Sequence, residues 1–176
     1  MKTCYILAAV LTVTAVLVYA APVDANGFTE HMTALVERGG SPRKLKSNET
    51  ATTKATFKPP VEIIIEAKTD SHDLRISYAA NQVIFNWEGG RNQLRVDGGP
   101  ANGQHKPGAG LIPVNRYVTI RWIVTPKRQT IYVDGQLRFE HAGDYSKIDN
   151  PISVFPTGSE VTVKTIKVKQ LPPGTE

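Results

Sequence analysis

The side chains equipped to act on another molecule fall mostly in the second half of the chain, in short runs where polar and apolar residues alternate. Asn86 and Glu88 interleave with Phe85 and Trp87, and Gln93, Arg95 and Asp97 with Leu94 and Val96. Thr119 and Arg121 interleave with Ile120 and Trp122, with Tyr117 just ahead, while Tyr132 stands between Ile131 and Val133. Successive side chains on a strand point to opposite faces, so each run separates a polar face from an apolar one. If these strands share a sheet, its outer surface carries guanidiniums, carboxylates and phenols. Such a surface suits sugar hydroxyls, because forked donors and acceptors fix a ring's orientation while aromatic faces cover it. The candidate ligand-binding residues are therefore Asn86, Trp87, Glu88, Arg95, Asp97, His105, Tyr117, Arg121 and Tyr132. On a plain solvated surface the same groups form cross-strand pairs of about 0.2–1 kcal/mol each, and both readings stay open.

Other chemistries find less support. Trp87 and Trp122 share the phase of aliphatic neighbours, which assigns both to the core; Trp87, ending its run beside Gly89-Gly90, has the better route to the surface. Asp97 to Gly110 holds five glycines and offers Asp97, Asn102, Gln104 and His105, as either a covering loop or a binding loop. No Gly-Lys-Ser/Thr follows it and no helix begins after it, so it is not a phosphate cradle. Asp97 with Asn102 is too thin a donor set for calcium. His31, His72, His105 and His141 show no metal-ligand spacing, and no serine sits in a nucleophile elbow. No catalytic residue, metal or cofactor is expected.

The whole chain sets the context. Its 176 residues suit one domain, with 40% hydrophobic and 21% charged residues. The formal charge of +5 is spread among both signs, with no basic run able to track a nucleic-acid backbone. The single cysteine, Cys4, lies in an N-terminal stretch that reads as a signal peptide: Lys2, then an apolar run from Ile6 to Val18, then Val18-Tyr19-Ala20 with small residues for cleavage. Cleavage is expected after Ala20, giving a secreted, periplasmic or extracellular protein with no membrane contact thereafter. Asn48-Glu49-Thr50 is a glycosylation sequon.

The elements that position the polar residues follow from periodicity. Phe28, Met32, Leu35 and Val36 recur at helical spacing, with Asn26 as N-cap and Gly39-Gly40 as stop, which predicts a short amphipathic helix. Ser41 to Lys58, poor in large apolar residues, reads as a linker. From Val61 the period is two, predicting nine or ten short strands. Asp134-Gly135 marks a type I′ hairpin, and a slip of phase between Val163 and Ile166 marks a β-bulge near Lys164-Thr165. The expected fold is all-β, an antiparallel two-sheet β-sandwich (jelly roll), preceded by a signal peptide and a short helix and linker. The expected division is 1–20 signal peptide, 21–56 helix and linker, 57–172 sandwich and 173–176 tail.

The strand Tyr117–Val124, the hairpin Ile131-Tyr132-Val133-Asp134-Gly135, the strand ending Phe139-Glu140 and the closing Val161–Leu171 resemble the concanavalin A-like lectin and glucanase superfamily, including laminin-G-like modules. The pattern is also similar to small exported domains of that type in environmental bacteria. The resemblance spans about Phe57 to Leu171 and implies a jelly roll that meets glycans. Its hydrolytic members carry a Glu-x-Asp-x-Glu or Glu-x-Asp-x-x-Glu cluster on one strand, which this chain lacks. Glu62 and Glu66 come nearest, but four residues along a strand put their Cα atoms roughly 13 Å apart, too far for a hydrolytic pair. The leading expectation is a non-catalytic carbohydrate-binding module. The alternatives are an extracellular structural or protein-interaction domain, and a glycoside hydrolase using a non-standard pair such as Glu88 and Asp97. The implied partner is a glycan or a cell-surface or extracellular protein, not nucleic acid.

Overall fold

The computed structural model describes residues 23–30 and 42–176. The signal peptide and its cleavage point lie outside these residues. Among those described there are thirteen strands in two antiparallel sheets. One sheet runs β1 (Thr29–Glu30), β13 (Val161–Gln170), β4 (Val61–Thr69), β9 (Val118–Val124), β10 (Arg128–Val133), β11 (Gln136–Ala142), with β2 (Arg43–Leu45) also on β13. The other runs β3 (Ala51–Thr52), β12 (Ser153–Phe155), β5 (Leu74–Ser77), β6 (Gln82–Phe85), β7 (Gln93–Asp97), β8 (Lys106–Pro107). The expected all-β antiparallel sandwich is the fold observed.

Alternation builds it. Along β4, Val61, Ile63, Ile65, Ala67 and Thr69 are buried while the residues between them are half-exposed. The same period on β5, β7 and β9 gives each sheet one apolar face, and the two faces pack into a single core. Trp122 is fully buried there, as its phase predicts; its indole N–H donates to the buried Gln129 Oε1 at 2.9 Å, which satisfies both polar groups. Tyr78 meets Trp122 edge-on, 6.0 Å between centroids.

The local signals hold. Asp134 and Gly135 both have positive φ, as a two-residue type I′ turn requires. The β13–β4 register shifts between Val163 and Thr165, which leaves Lys164 as the bulged residue. A second bulge, unexpected from sequence, shifts β10 against β11 so that Arg138 has no register partner. Its Nη1 donates instead to Leu111 O at 3.1 Å and Ala109 O at 3.4 Å.

Two N-terminal expectations need correction. The helix does not start at Asn26: Asp24 Oδ1 accepts from Asn26 N and Phe28 N in a turn, and Thr29–Glu30 then pairs with Val168 and Lys167. The remaining helical positions, Met32, Leu35, Val36 and Gly39-Gly40, lie outside the described residues. Part of the supposed linker is sheet, since β2 pairs with β13 and β3 with β12, and Leu45 and Ala51 are fully buried. Edge strands this short carry one apolar anchor each, too few to display a period.

Candidate functional site

The nine expected residues do not share a sheet. Asn86, Trp87, Glu88, Arg95, Asp97 and His105 belong to the six-stranded sheet or its loops, whereas Tyr117, Arg121 and Tyr132 belong to the seven-stranded sheet. Apolar faces pack inward in both, so the two groups look out on opposite sides of the sandwich. The expected single surface is therefore two surfaces.

On the six-stranded side, register aligns Phe155, Arg75, Ile84 and Arg95 across β12, β5, β6 and β7, with Gln82 opposite Asp97 in the next row. Ile84 points outward yet is only 1% exposed, flanked by the two arginines. Arg75 Nη1 donates to Gln82 Oε1 at 3.0 Å, and Gln82 Nε2 donates to Asp97 Oδ2 at 2.8 Å. Asp97 also accepts from Arg95 Nε at 2.8 and 3.2 Å. The Arg95 guanidinium lies 4.5 Å from the Trp87 ring centroid, completing a chain of contacts across three strands.

Two corrections concern the turn after β6. Asn86 has φ +51, is fully buried, and exchanges hydrogen bonds of 2.9 Å with both main-chain groups of Ile112. It anchors a loop and shows nothing to a ligand. Its left-handed backbone also breaks the strand period, so Trp87 leaves the core phase and lies against Gly89 and Gly90, under Arg95. A Cβ on Gly89 would stand 2.5 Å from Trp87 Cζ2, so glycine is what admits the indole.

Two carboxylates at the other end of the network gather on Arg75. Asp73, at φ +51 on the loop before β5, is 1% exposed and lies 3.2 Å from Arg75 Nη2, which also reaches Glu88 Oε2 at 3.5 Å. Burial, reinforced by the hydrogen bond with Glu88, pushes the Asp73 carboxyl above its ordinary range. The same hydrogen bond holds Glu88 below its own. Burial opposes ionisation of Asp97, but the hydrogen bonds from Arg95 and Gln82 outweigh it and keep that carboxyl low. From Glu88 to Asp97 the contacts run through Arg75 and Gln82. Among the described residues no three His, Cys, Asp or Glu side chains gather in a metal-holding arrangement.

Beside Gln82 and Asp97 the face dips into a pocket of 330 Å³, lined by Ser77, Tyr78, Ala80, Asn81, Asn150, Pro151 and Ser153. Its wall depends on the glycine-rich loop. Gly98, at φ +76, packs so closely on Asn81 that a Cβ would lie 2.4 Å from its Cγ; at Gly99, φ +68, a Cβ would stand 2.2 Å from Ala79 O. Asn150 Nδ2 donates to Tyr78 O at 3.0 Å. His105 does not join the site, because its Nδ1 accepts from Val96 N at 3.1 Å and seals the edge of β7. Arg75, Asp73, Gln82, Asn81, Ser77 and Ser153 were missed from sequence; Arg75 and Gln82 were legible, each opposite in phase to buried neighbours.

On the far side, Arg121 Nε donates to Glu62 Oε1 at 2.5 Å and its guanidinium lies over Tyr132, 5.5 Å from the centroid. Tyr117 stands apart, beneath Lys68 and Lys164 at 5.1 and 5.8 Å.

Fold and faces together define a two-sheet antiparallel jelly roll. The chain is similar in structure to the β-glucanase of Bacillus licheniformis, with 14% identity over 86% of each chain and a TM-score of 0.56. It is also similar to the galectin LEC-6 of Caenorhabditis elegans, with 10% identity over 77% of this chain and 100% of that one, TM-score 0.53. The exoplasmic/lumenal domain of VIP36 in its Ca2+/Man-bound form is similar at 8% identity over 85% of this chain and 83% of that one, TM-score 0.56. No family model matches the sequence, and no curated protein matches it either. At these identities the likeness shows the fold.

Proposed function

We propose that this domain is an exported, non-catalytic module that binds an uncharged, hydroxyl-rich glycan on the outer face of the six-stranded sheet. The observation that carries the reading is the juxtaposition of the Arg75–Gln82–Asp97–Arg95 network with a 330 Å³ pocket whose polar lining is all hydroxyl and amide. The volume falls at the lower end of small-molecule sites. Side-chain amides and hydroxyls both donate and accept, as sugar hydroxyls do. The charged groups beside the pocket are mutually neutralised, which favours a neutral ring over an anionic one. The similar glucanase, galectin and mannose-bound structures agree with a glycan ligand. Export rests on the Met1–Ala20 stretch, with the sandwich taken to span about 57–172.

A glycan array probed with the chain starting at Ala21 tests the reading. Binding to neutral oligosaccharides is expected, falling at least about tenfold, roughly 1.4 kcal/mol, in Asn81→Ala and in Asp97→Ala. Silence on every neutral glycan, or unchanged binding by both variants, refutes it.

A further inference from the structure

Two of the residues on the opposite side build a site of their own. On the outer surface of the seven-stranded sheet, register places Ile64, Arg121 and Tyr132 in one row and Glu62, Ile123, Thr130 and Glu140 in the next. A cleft of 380 Å³ opens over them, walled on one side by Leu171 and Thr175.

Arg121 is held in this cleft from both neighbouring strands. Its Nε is taken by Glu62 of β4 and its plane is set against Tyr132 of β10. The Glu62 side chain is 13% exposed and that of Arg121 is 45% exposed, so the carboxylate is the buried half and the guanidinium meets the solvent. Among the described residues no hydrogen bond reaches the two Nη atoms. The other charged groups at the rim are engaged, Arg128 with Glu140 at 3.9 Å and Lys127 with Glu176. What remains unspent is a guanidinium fork at a fixed angle, and its parallel donors match a carboxylate bidentately.

We propose that this cleft binds the carboxylate of an acidic sugar, a uronic acid unit, through the Nη atoms of Arg121. Ile123 and Thr130 floor the cleft. A ring suits the place better than an acidic peptide. The cleft lies in mid-sheet, where the backbone of β9 is already paired with β4 and β10, so an extended chain finds no edge to join. The site stands whether or not the six-stranded face binds a glycan.

Calorimetric titration of the full chain with a galacturonate trimer and with its methyl-esterified, uncharged counterpart tests the assignment. The acid is expected to bind at least about tenfold more tightly than the ester. Arg121→Ala removes that preference, and Arg121→Lys, which keeps the charge without the fork, fails to restore it. Glu62→Gln weakens acid binding by a smaller factor, and Asn81→Ala in the far pocket leaves it intact. Equal binding of acid and ester, no binding at millimolar acid, or parent-like binding by Arg121→Lys overturns the proposal. So does an equal loss in Asn81→Ala, which would put the acid on the other face. Tighter Arg121-dependent binding of a glutamate trimer overturns the sugar assignment.

Discussion

The two outer faces use the same residue types to different ends. On the six-stranded side, arginines, carboxylates and an amide interlock over a buried isoleucine, so each charged group is held by at least one other beside an uncharged pocket. On the seven-stranded side the ion pairs stand separately and more exposed, as with Arg121–Glu62, Lys164–Glu66 and Lys44–Glu160. Burial sets the difference. The Asp73 side chain is 1% exposed and depends on Arg75, whereas Glu62 keeps 13% exposure and can be partly solvated without Arg121. Charge is part of the architecture on one face and display on the other.

The largest expected effect comes from breaking the interlocked side. Arg75→Ala leaves Asp73 buried without its cation and takes the partner from Gln82 and Glu88. Urea unfolding is expected to show a loss of about 3 kcal/mol. The matching change across the sandwich, Arg121→Ala, strands a carboxylate with more access to water and should cost less, about 1 kcal/mol. Comparable losses at both positions would erase the contrast.

Gly99→Ala comes next. A methyl cannot stand 2.2 Å from Ala79 O at a φ of +68, so the loop must withdraw from the Asn81 turn. A cost of roughly 2 kcal/mol is expected, read as a lowered thermal midpoint, together with loss of binding at the pocket that Asn81 lines.

The finest test concerns the buried carboxyl of Asp73. Asp73 has its folded pKa raised, so its contribution is present below the ordinary aspartate range and is lost as pH rises through the raised value. Glu88 and Asp97, with lowered values, contribute above their ordinary range and lose that contribution as pH falls through the lowered values. Asp73→Asn keeps a donor toward Glu88 and an acceptor for Arg75 while removing the titration. Chemical denaturation at pH 7 and pH 3 is expected to find the variant more stable than the parent at the higher pH, with the gain absent at the lower. A gain of equal size at both would refute the upward shift of the Asp73 carboxyl.

What could be read in advance was what neighbouring residues decide. The β4 alternation, the Asp134-Gly135 turn and the slip around Lys164 each involve a few consecutive positions, and each stands where expected. Strand partnership was hidden, because pairs such as Ser153–Thr52 and Val163–Ala67 join residues about a hundred positions apart. That is why nine candidate residues were placed on one surface when they occupy two. Trp87 misled for a different reason: its phase was right until Asn86 turned the backbone over, and nothing in Phe-Asn-Trp announces a left-handed asparagine. The site's central residues Arg75 and Gln82 were visible as outward positions, but only the fold brings Asp97 to Gln82 and Asp73 to Arg75.

The bulge at Arg138 also bears on how the molecule behaves in a crowd. β11 ends its sheet, and an uninterrupted terminal strand offers its unpaired amides and carbonyls as a template for a strand from another copy. The unpartnered residue breaks the straight repeat that such stacking requires, and its guanidinium clasps the Ala109–Leu111 main chain alongside. A jelly roll without disulfide staples in its described residues thus carries a guard against zippering into fibrils at the margin where a flat sheet is most vulnerable.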